Sequence, residues 1–258
     1  MPGRAPSLSL IALTGLPEIR PGDDLAALLG DALAARAAPL ARRDVLVVSQ
    51  KIVSKAEDRY VDLEQVAVSP RARLLAEATG KDARVVEVVL GESRRVVRAR
   101  PGLIICEHRL GMVMANAGVD RSNVGAARSE STVLLLPADP DASAAALAAG
   151  LARRFGAPLA VIVSDSAGRA WRNGVVGFAL GASGLPALVD RRGAPDRQGR
   201  ALEVTEVAFA DQIASAAALL MGEADEGIPA VLVRGLDWSP PPLPAARLLR
   251  PAALDMFR

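Results

Sequence analysis

The sequence predicts a mixed α+β fold built on largely antiparallel sheets. Three observations point there. Short runs rich in Val, Ile and Leu recur along the chain, Gly- and Pro-containing turns separate them, and the Ala/Leu-rich helical segments do not alternate with strands regularly enough for a barrel. With 258 residues, 51% of them hydrophobic and 3% aromatic, the chain suffices for one large domain or two small ones.

The elements follow in order. SLSLIAL, residues 7–13, alternates and reads as a strand, and TGLPEIRPGDD after it is turn chemistry. Asp23 and Asp24 head an Ala/Leu-rich helix to about Arg36, with acids at its electropositive end. DVLVVSQ, residues 44–50, is an apolar strand ending in polar residues just before Lys51. Ser69-Pro70 opens a helix over 69–80. ARVVEVVL, RRVVRAR and LIIC read as three consecutive strands, and GMVMA leads into the polar stretch ANAGVDRSNVG, residues 115–125. TVLLLP is a strand, and DPDASAAALAAGLARRFG is a helix with an acidic start and a Gly stop. Residues 159–164 form a buried strand that delivers Ser164, Asp165 and Ser166 into a Gly/Arg-rich loop, and a further apolar strand follows the loop. A helix over 209–221, an acidic turn and the strand IPAVLVRGL complete a body of residues 1–238, one domain with room for two subdomains. The Pro-rich tail, 239–258, is expected to pack on that body or on a partner subunit.

Composition excludes several function classes. No run reaches the roughly 18–20 apolar residues of a membrane span, and the N-terminal stretch lacks the features of a secretory leader; a cytoplasmic, non-membrane protein is expected. One cysteine, Cys106, rules out an intrachain disulfide and a thiolate zinc site, and one histidine, His108, rules out multi-histidine metal chemistry. Cys106 within LIIC reads as a small buried hydrophobe, and His108 as a loop or packing residue. Seven aromatic residues and scattered basic ones give no base-stacking surface, so nucleic acid is not expected as a partner. Three Lys stand against 28 Arg, and two of the three, Lys51 and Lys55, lie four apart. Such retention draws attention to that segment, because a compact ammonium differs from a guanidinium.

Three segments share one design, an apolar run that delivers a carboxylate into a Gly-containing turn. They carry Asp120 with Ser122 and Asn123, Asp165 with Ser166, and Glu223 in MGEADEG. Oxygen donors from separate segments suit magnesium or manganese, and the cations Lys51, Lys55, Arg169 and Arg172 suit a polyphosphate. Taken singly each motif is also ordinary turn material. The same acids would serve a phosphohydrolase that activates water, or a nucleotide-binding assembly module.

GLPEIRPGDDL, VVSQKIVSKAEDR, NAGVDRSNV, SDSAGRAWRNGVVGFALG and LLMGEADEGIPAVLVRGL occur in that order. Together they resemble the coenzyme F420 γ-glutamyl ligase family over about residues 9–236. The resemblance implies the family's ligase fold in an intertwined homodimer. It implies addition of L-glutamate to the deazaflavin coenzyme F420 precursor through γ-linkages, with GTP as co-substrate. Mg2+ or Mn2+ would be the cofactor, with K+ as a further ion. Carried over by motif, the GTP contacts are Leu16, Pro17, Glu18, Ile19, Gln50, Lys51, Lys55, Asn123, Met221, Gly222, Glu223, Ala224, Asp225 and Glu226. From the residues alone Met221 reads as core. The implied metal ligands are Asp120, Asp165, Ser166 and Glu223, and Lys55 and Arg169 are the cations expected to act in catalysis. Two positions depart from the family pattern: Ser166 stands where Thr is common, and Gln50-Lys51 replaces small hydroxyl residues.

Overall fold

The computed structural model describes residues 6–35, 39–124 and 131–256; Arg36 and Gly125, at the ends of two predicted segments, lie outside them. Along the chain run β1 (Ser9–Leu13), α1 (Leu25–Ala34), β2 (Val45–Ser49), α2 (Gln50–Ala56), β3 (Tyr60–Asp62), α3 (Pro70–Thr79), α4 (Ala83–Gly91), β4 (Ser93–Arg100), β5 (Leu103–His108) and β6 (Val113–Ala115). They continue with β7 (Thr132–Leu134), α5 (Pro140–Phe155), β8 (Ala160–Arg169), β9 (Arg172–Ser183), β10 (Val189–Asp190), β11 (Glu206–Val207), α6 (Phe209–Met221) and β12 (Ala230–Arg234).

The main sheet has the order β1-β12-β2-β8-β9. Its pairs are antiparallel except β2–β8, which is parallel. Strand alternation explains its two cores. Leu46, Val48, Val161 and Val163 face Leu25, Leu29, Leu147 and Leu151 of α1 and α5. Val45, Val47, Ile162 and Val231 face Ala210, Ile213 and Ala217 of α6. A strand covered on both faces reads as a continuous apolar run, which is why DVLVV shows no alternation. β9 passes so close to α5 that a Cβ on Gly181 would lie 2.0 Å from the Pro140 carbonyl oxygen, so only glycine fits.

A second, smaller group of elements comprises the β4-β5-β6 sheet, the β3–β7 pair and helices α3 and α4, around Leu63, Val86, Val89, Ile104, Cys106 and Val133. Here one expectation fails. ARVVEVVL is the helix α4, not a strand. Asp82 caps it by accepting from the Arg84 amide at 2.8 Å, and Val86 and Val89, three apart, make its buried face. Valine's strand preference is weak beside a cap and an i, i+3 apolar pair. Burial raises the Cys106 thiol's pKa, in keeping with a packing residue, and His108 is fully buried at the end of β5, where its ring also faces Glu92.

A second correction concerns the Gly/Arg-rich loop. β8 runs on to Arg169 and β9 resumes at Arg172, so a two-residue turn replaces the loop. The ladder continues through Asp165↔Phe178 and Gly168↔Val175 because backbone pairing requires no apolar side chain. Gln50 likewise belongs to α2 rather than to the preceding strand.

The tail packs on the body. The Asp141 carboxylate accepts from the amides of Ala182 (2.8 Å), Ala245 (2.7 Å) and Ala246 (3.1 Å), tying α5, β9 and the tail together. Among the described residues no helix is long and apolar enough to cross a membrane.

Candidate active site

β2 and β8 lie side by side and parallel, with Ser49 in register with Ser164, so their C-terminal ends open on the same side of the sheet. Ligands in α/β sheets gather at such ends. A cleft of about 1140 Å³ lies there, bounded by these strand ends, residues 114–124 and the turn after α6.

Each wall has a local cause. Ser49 ends β2 and caps α2, its hydroxyl accepting from the Lys51 amide at 3.3 Å. The helix spacing then puts Lys51 and Lys55 on one side, toward the cleft. Lys51 Nζ donates to Asp120 Oδ2 at 2.6 Å and to the Ser122 carbonyl oxygen at 2.9 Å. Lys55, with a side chain only 7% exposed, pairs with Glu18 at 2.5 Å. Gln50 is buried and its Oε1 accepts from the Ser54 hydroxyl, which fixes the first turn of α2.

Asp120 is anchored through its backbone, exchanging both hydrogen bonds with Leu134 at 2.9 Å. Its Oδ1 accepts from the Ser122 amide and hydroxyl, both at 2.8 Å, an Asx turn that makes Ser122 a turn former. Burial pushes the Asp120 carboxyl up, but the Lys51 hydrogen bond and charge outweigh it and leave it below the ordinary value. Asn123 sits at φ 52°, in the left-handed region that Asn tolerates, and its Nδ2 donates to the Ala224 carbonyl at 3.4 Å. That bond joins the Asp120 loop to the acidic turn.

Asp165 follows a β-bulge between Val163 and Ser164, a device that re-aims side chains beside sites. Burial pushes its carboxyl up to about 6, and the Asp120 and Glu223 charges add to the rise against the Ser166 amide bond and Lys51. Ser166 Oγ donates to Glu223 Oε2 at 2.8 Å. In the acidic turn the Ala224 amide donates to Glu226 Oε2 at 2.9 Å, lowering the Glu226 carboxyl. Met221 does both things read for it: it packs on the α6 core and lines the cleft beside Ser164.

Leu16, Pro17, Glu18, Ile19, Gly222 and Asp225 line the same cleft, so every nucleotide and metal position expected from the motifs is brought together. Arg169 is the exception. It is exposed at the hairpin end and does not line the cleft. Sequence reasoning gave no site role to Ser49, Ser164 or the Ser122 carbonyl. The only signal for the first two was a hydroxyl residue closing an apolar run.

Among the described residues no three His, Cys, Asp or Glu side chains form a closed metal cage. What the cleft offers is open: carboxylates of Asp120, Asp165 and Glu223 and the Ser166 hydroxyl around shared space. Burial first, and then the Asp120 and Glu223 charges, raise the Asp165 carboxyl, and a divalent cation would offset both. Mg2+ commonly takes one or two carboxylates and fills its other positions with water and substrate oxygens. The donor set fits such an ion.

Such a frame, an α+β body with carboxylates and ammonium groups converging on one wide cleft, is that of an enzyme. The family model described as F420-0:Gamma-glutamyl ligase matches residues 15–235. The chain is 45% identical over 253 residues to the coenzyme F420:L-glutamate ligase of Methanothermobacter thermautotrophicus, covering 97% of this chain and 99% of that protein. It is 46% identical over 260 residues to the protein of the same name in Methanopyrus kandleri, covering 99% and 100%. For that of Archaeoglobus fulgidus the figures are 44% over 230 residues, 89% and 88%. The chain belongs to the F420-0:gamma-glutamyl ligase family, whose members are ligases.

Proposed function

We propose that this chain joins L-glutamate to the deazaflavin coenzyme F420 precursor through a γ-glutamyl linkage, with GTP as the energy source. The observation that carries the reading is the meeting of Asp120, Asp165, Ser166, Glu223, Lys51 and Lys55 at one cleft, in a member of this family.

A free carboxylate is a poor acyl donor because oxide would have to leave. In the proposed course an oxygen of the precursor's terminal carboxylate attacks the γ-phosphorus of GTP; the bond from that phosphorus to the bridging oxygen breaks and GDP departs. The acyl phosphate then meets the α-amine of L-glutamate. The C–N bond forms, the amine gives up a proton, and phosphate leaves with the electron pair of its C–O bond. The chain contributes positioning and electrostatics, so it needs no nucleophile of its own. Lys55, nearly buried and paired with Glu18, stands beside the nucleotide space. Lys51 neutralises Asp120 and keeps the 120–123 turn in place. Asn123 ties that turn to the wall formed by 222–226. Asp120, Asp165, Ser166 and Glu223 would hold Mg2+ or Mn2+, which when bound neutralises phosphate oxygens; K+ is a further expected ion. Arg169, exposed at the hairpin end, does not line the cleft, so no contact with GTP is assigned to it. A homodimer acting in the cytoplasm is the proposed working form.

Mass spectrometry of the product from precursor, GTP and L-glutamate with Mg2+ or Mn2+ tests the reading. It expects a product heavier by one or more glutamyl units, together with GDP. Unchanged precursor under all these conditions would refute it.

A further inference from the structure

We propose that the tip of the β8–β9 hairpin, with Trp171 at its end, is the platform for the aromatic ring of the acyl substrate. The inference rests on the ligase reading above, which makes that substrate a planar deazaflavin at one end and a reacting carboxylate at the other.

Trp171 is 86% exposed, although indole is among the side chains a fold gains most by covering. It also holds φ at 66°. A bulky side chain rarely adopts that region, and backbone strain of this kind gathers at ligand sites. The hairpin that carries it is itself a wall of the cleft, since Gly168 and its register partner Val175 both line it. Among the described residues, those lining the cleft include no Phe, Tyr or Trp. A planar ring entering the cleft would therefore find no aromatic partner until it reached the hairpin tip.

The spacing suits a long substrate. Extended strand geometry places Arg169, the end of β8, on the order of 13 Å from Asp165, and the two-residue turn sets Trp171 just beyond it. A molecule with its carboxylate among the acids can thus lay its ring at the tip. Arg169 and Arg172, paired in register on either side of the turn, give the platform cations that attract an anionic substrate. The indole supplies a broad π face for offset stacking.

The test uses the full chain with Trp171→Ala and Trp171→Phe, and Trp238→Phe to leave Trp171 as the sole indole. Trp171→Ala is expected to raise KM for the deazaflavin precursor at least tenfold while KM for GTP and L-glutamate changes less than twofold; Trp171→Phe is expected to restore most of the loss. Free 5-deazariboflavin, used as the probe, is expected to quench Trp171 fluorescence in the Trp238→Phe variant. An unchanged precursor KM overturns the inference. So does a Trp171→Ala chain that loses its oligomeric state in sedimentation velocity and weakens all substrates alike, which would make the tip a contact with a second copy. Quenching without ligation by the wild type would leave the platform standing and remove the ligase reading. Ligation without quenching would do the reverse.

Discussion

Glu92 and Asp165 are both carboxylates drawn out of bulk water, and the chain treats them in opposite ways. Burial raises Glu92, but His108 and Arg109, with the charges of Arg109 and Arg59, outweigh it and bring it down to about 2. Arg109 Nε lies 3.0 Å away, Arg59 Nη2 3.3 Å and His108 Nε2, a long contact, 3.5 Å. The His108 ring is set for this, because its Nδ1 accepts from the Leu110 amide. Asp165 has less: the Ser166 amide and the Lys51 charge do not outweigh burial and the neighbouring Asp120 and Glu223 charges, which push it up to about 6. A carboxylate that the fold satisfies belongs to the structure, whereas a raised carboxyl in a cleft marks a candidate functional site.

The comparison can be broken by experiment. Asp165→Asn is expected to lower ligase turnover by at least about a thousandfold, the scale of losing a key electrostatic group, with the circular dichroism unchanged. The same variant should be more stable than the parent at pH 7, by on the order of 1 kcal/mol after allowing for solvent screening. The sign follows from linkage. A raised carboxyl binds more protons folded than unfolded, so its penalty grows as pH climbs from about 4 to 6 and is full above. Urea melts at pH 4 and pH 7 should show the gain only at the higher pH.

Glu92→Gln is expected to do the reverse, costing about 3 kcal/mol, because it leaves Arg59 and Arg109 without their anion. Glu92 is depressed, so its contribution is present above the ordinary carboxylate pKa and is lost as pH falls toward 2. The deficit measured by urea unfolding should shrink over that window, and GTP affinity should hold.

Gly222→Ala addresses the wall between the two cases. Gly222 adopts φ 70° and ψ −177°, and a Cβ there would lie 2.0 Å from the Glu226 carboxyl carbon. A loss of about 1–2 kcal/mol and a roughly tenfold weaker GTP affinity, about 1.4 kcal/mol, are expected by calorimetry. Cys106→Ala should have the smallest effect, about 1 kcal/mol of stability with turnover unchanged, because the thiol only fills the smaller core.

Much of this contrast is legible in the sequence. Asp120, Asp165 and Glu223 each end an apolar run in a small-residue turn, and Lys51 and Lys55 share one side of a helix; these are local facts of spacing. Glu92 was not legible, because its partners Arg59, His108 and Arg109 come from other segments and no local pattern links them. The helix α4 was missed for a related reason. Four valines in eight residues look like a strand until Asp82 is seen to cap them and the smaller core to take Val86 and Val89.

The sequence by itself determined the chemistry available: oxygen donors and ammonium groups, one buried thiol, one histidine, and five ordered motifs of a ligase family. Only the tertiary structure decided who meets whom. The parallel β2–β8 pair aligns Ser49 with Ser164, so that the lysines after one strand and the carboxylate after the other open on the same cleft. It also decided that Arg169 and Trp171 stand on a hairpin tip rather than in a loop around the acids. The physical reason is that side-chain type is carried by each residue. Desolvation and Coulomb energies, in contrast, depend on distances between residues far apart in the chain, and the packed sheet alone sets those distances.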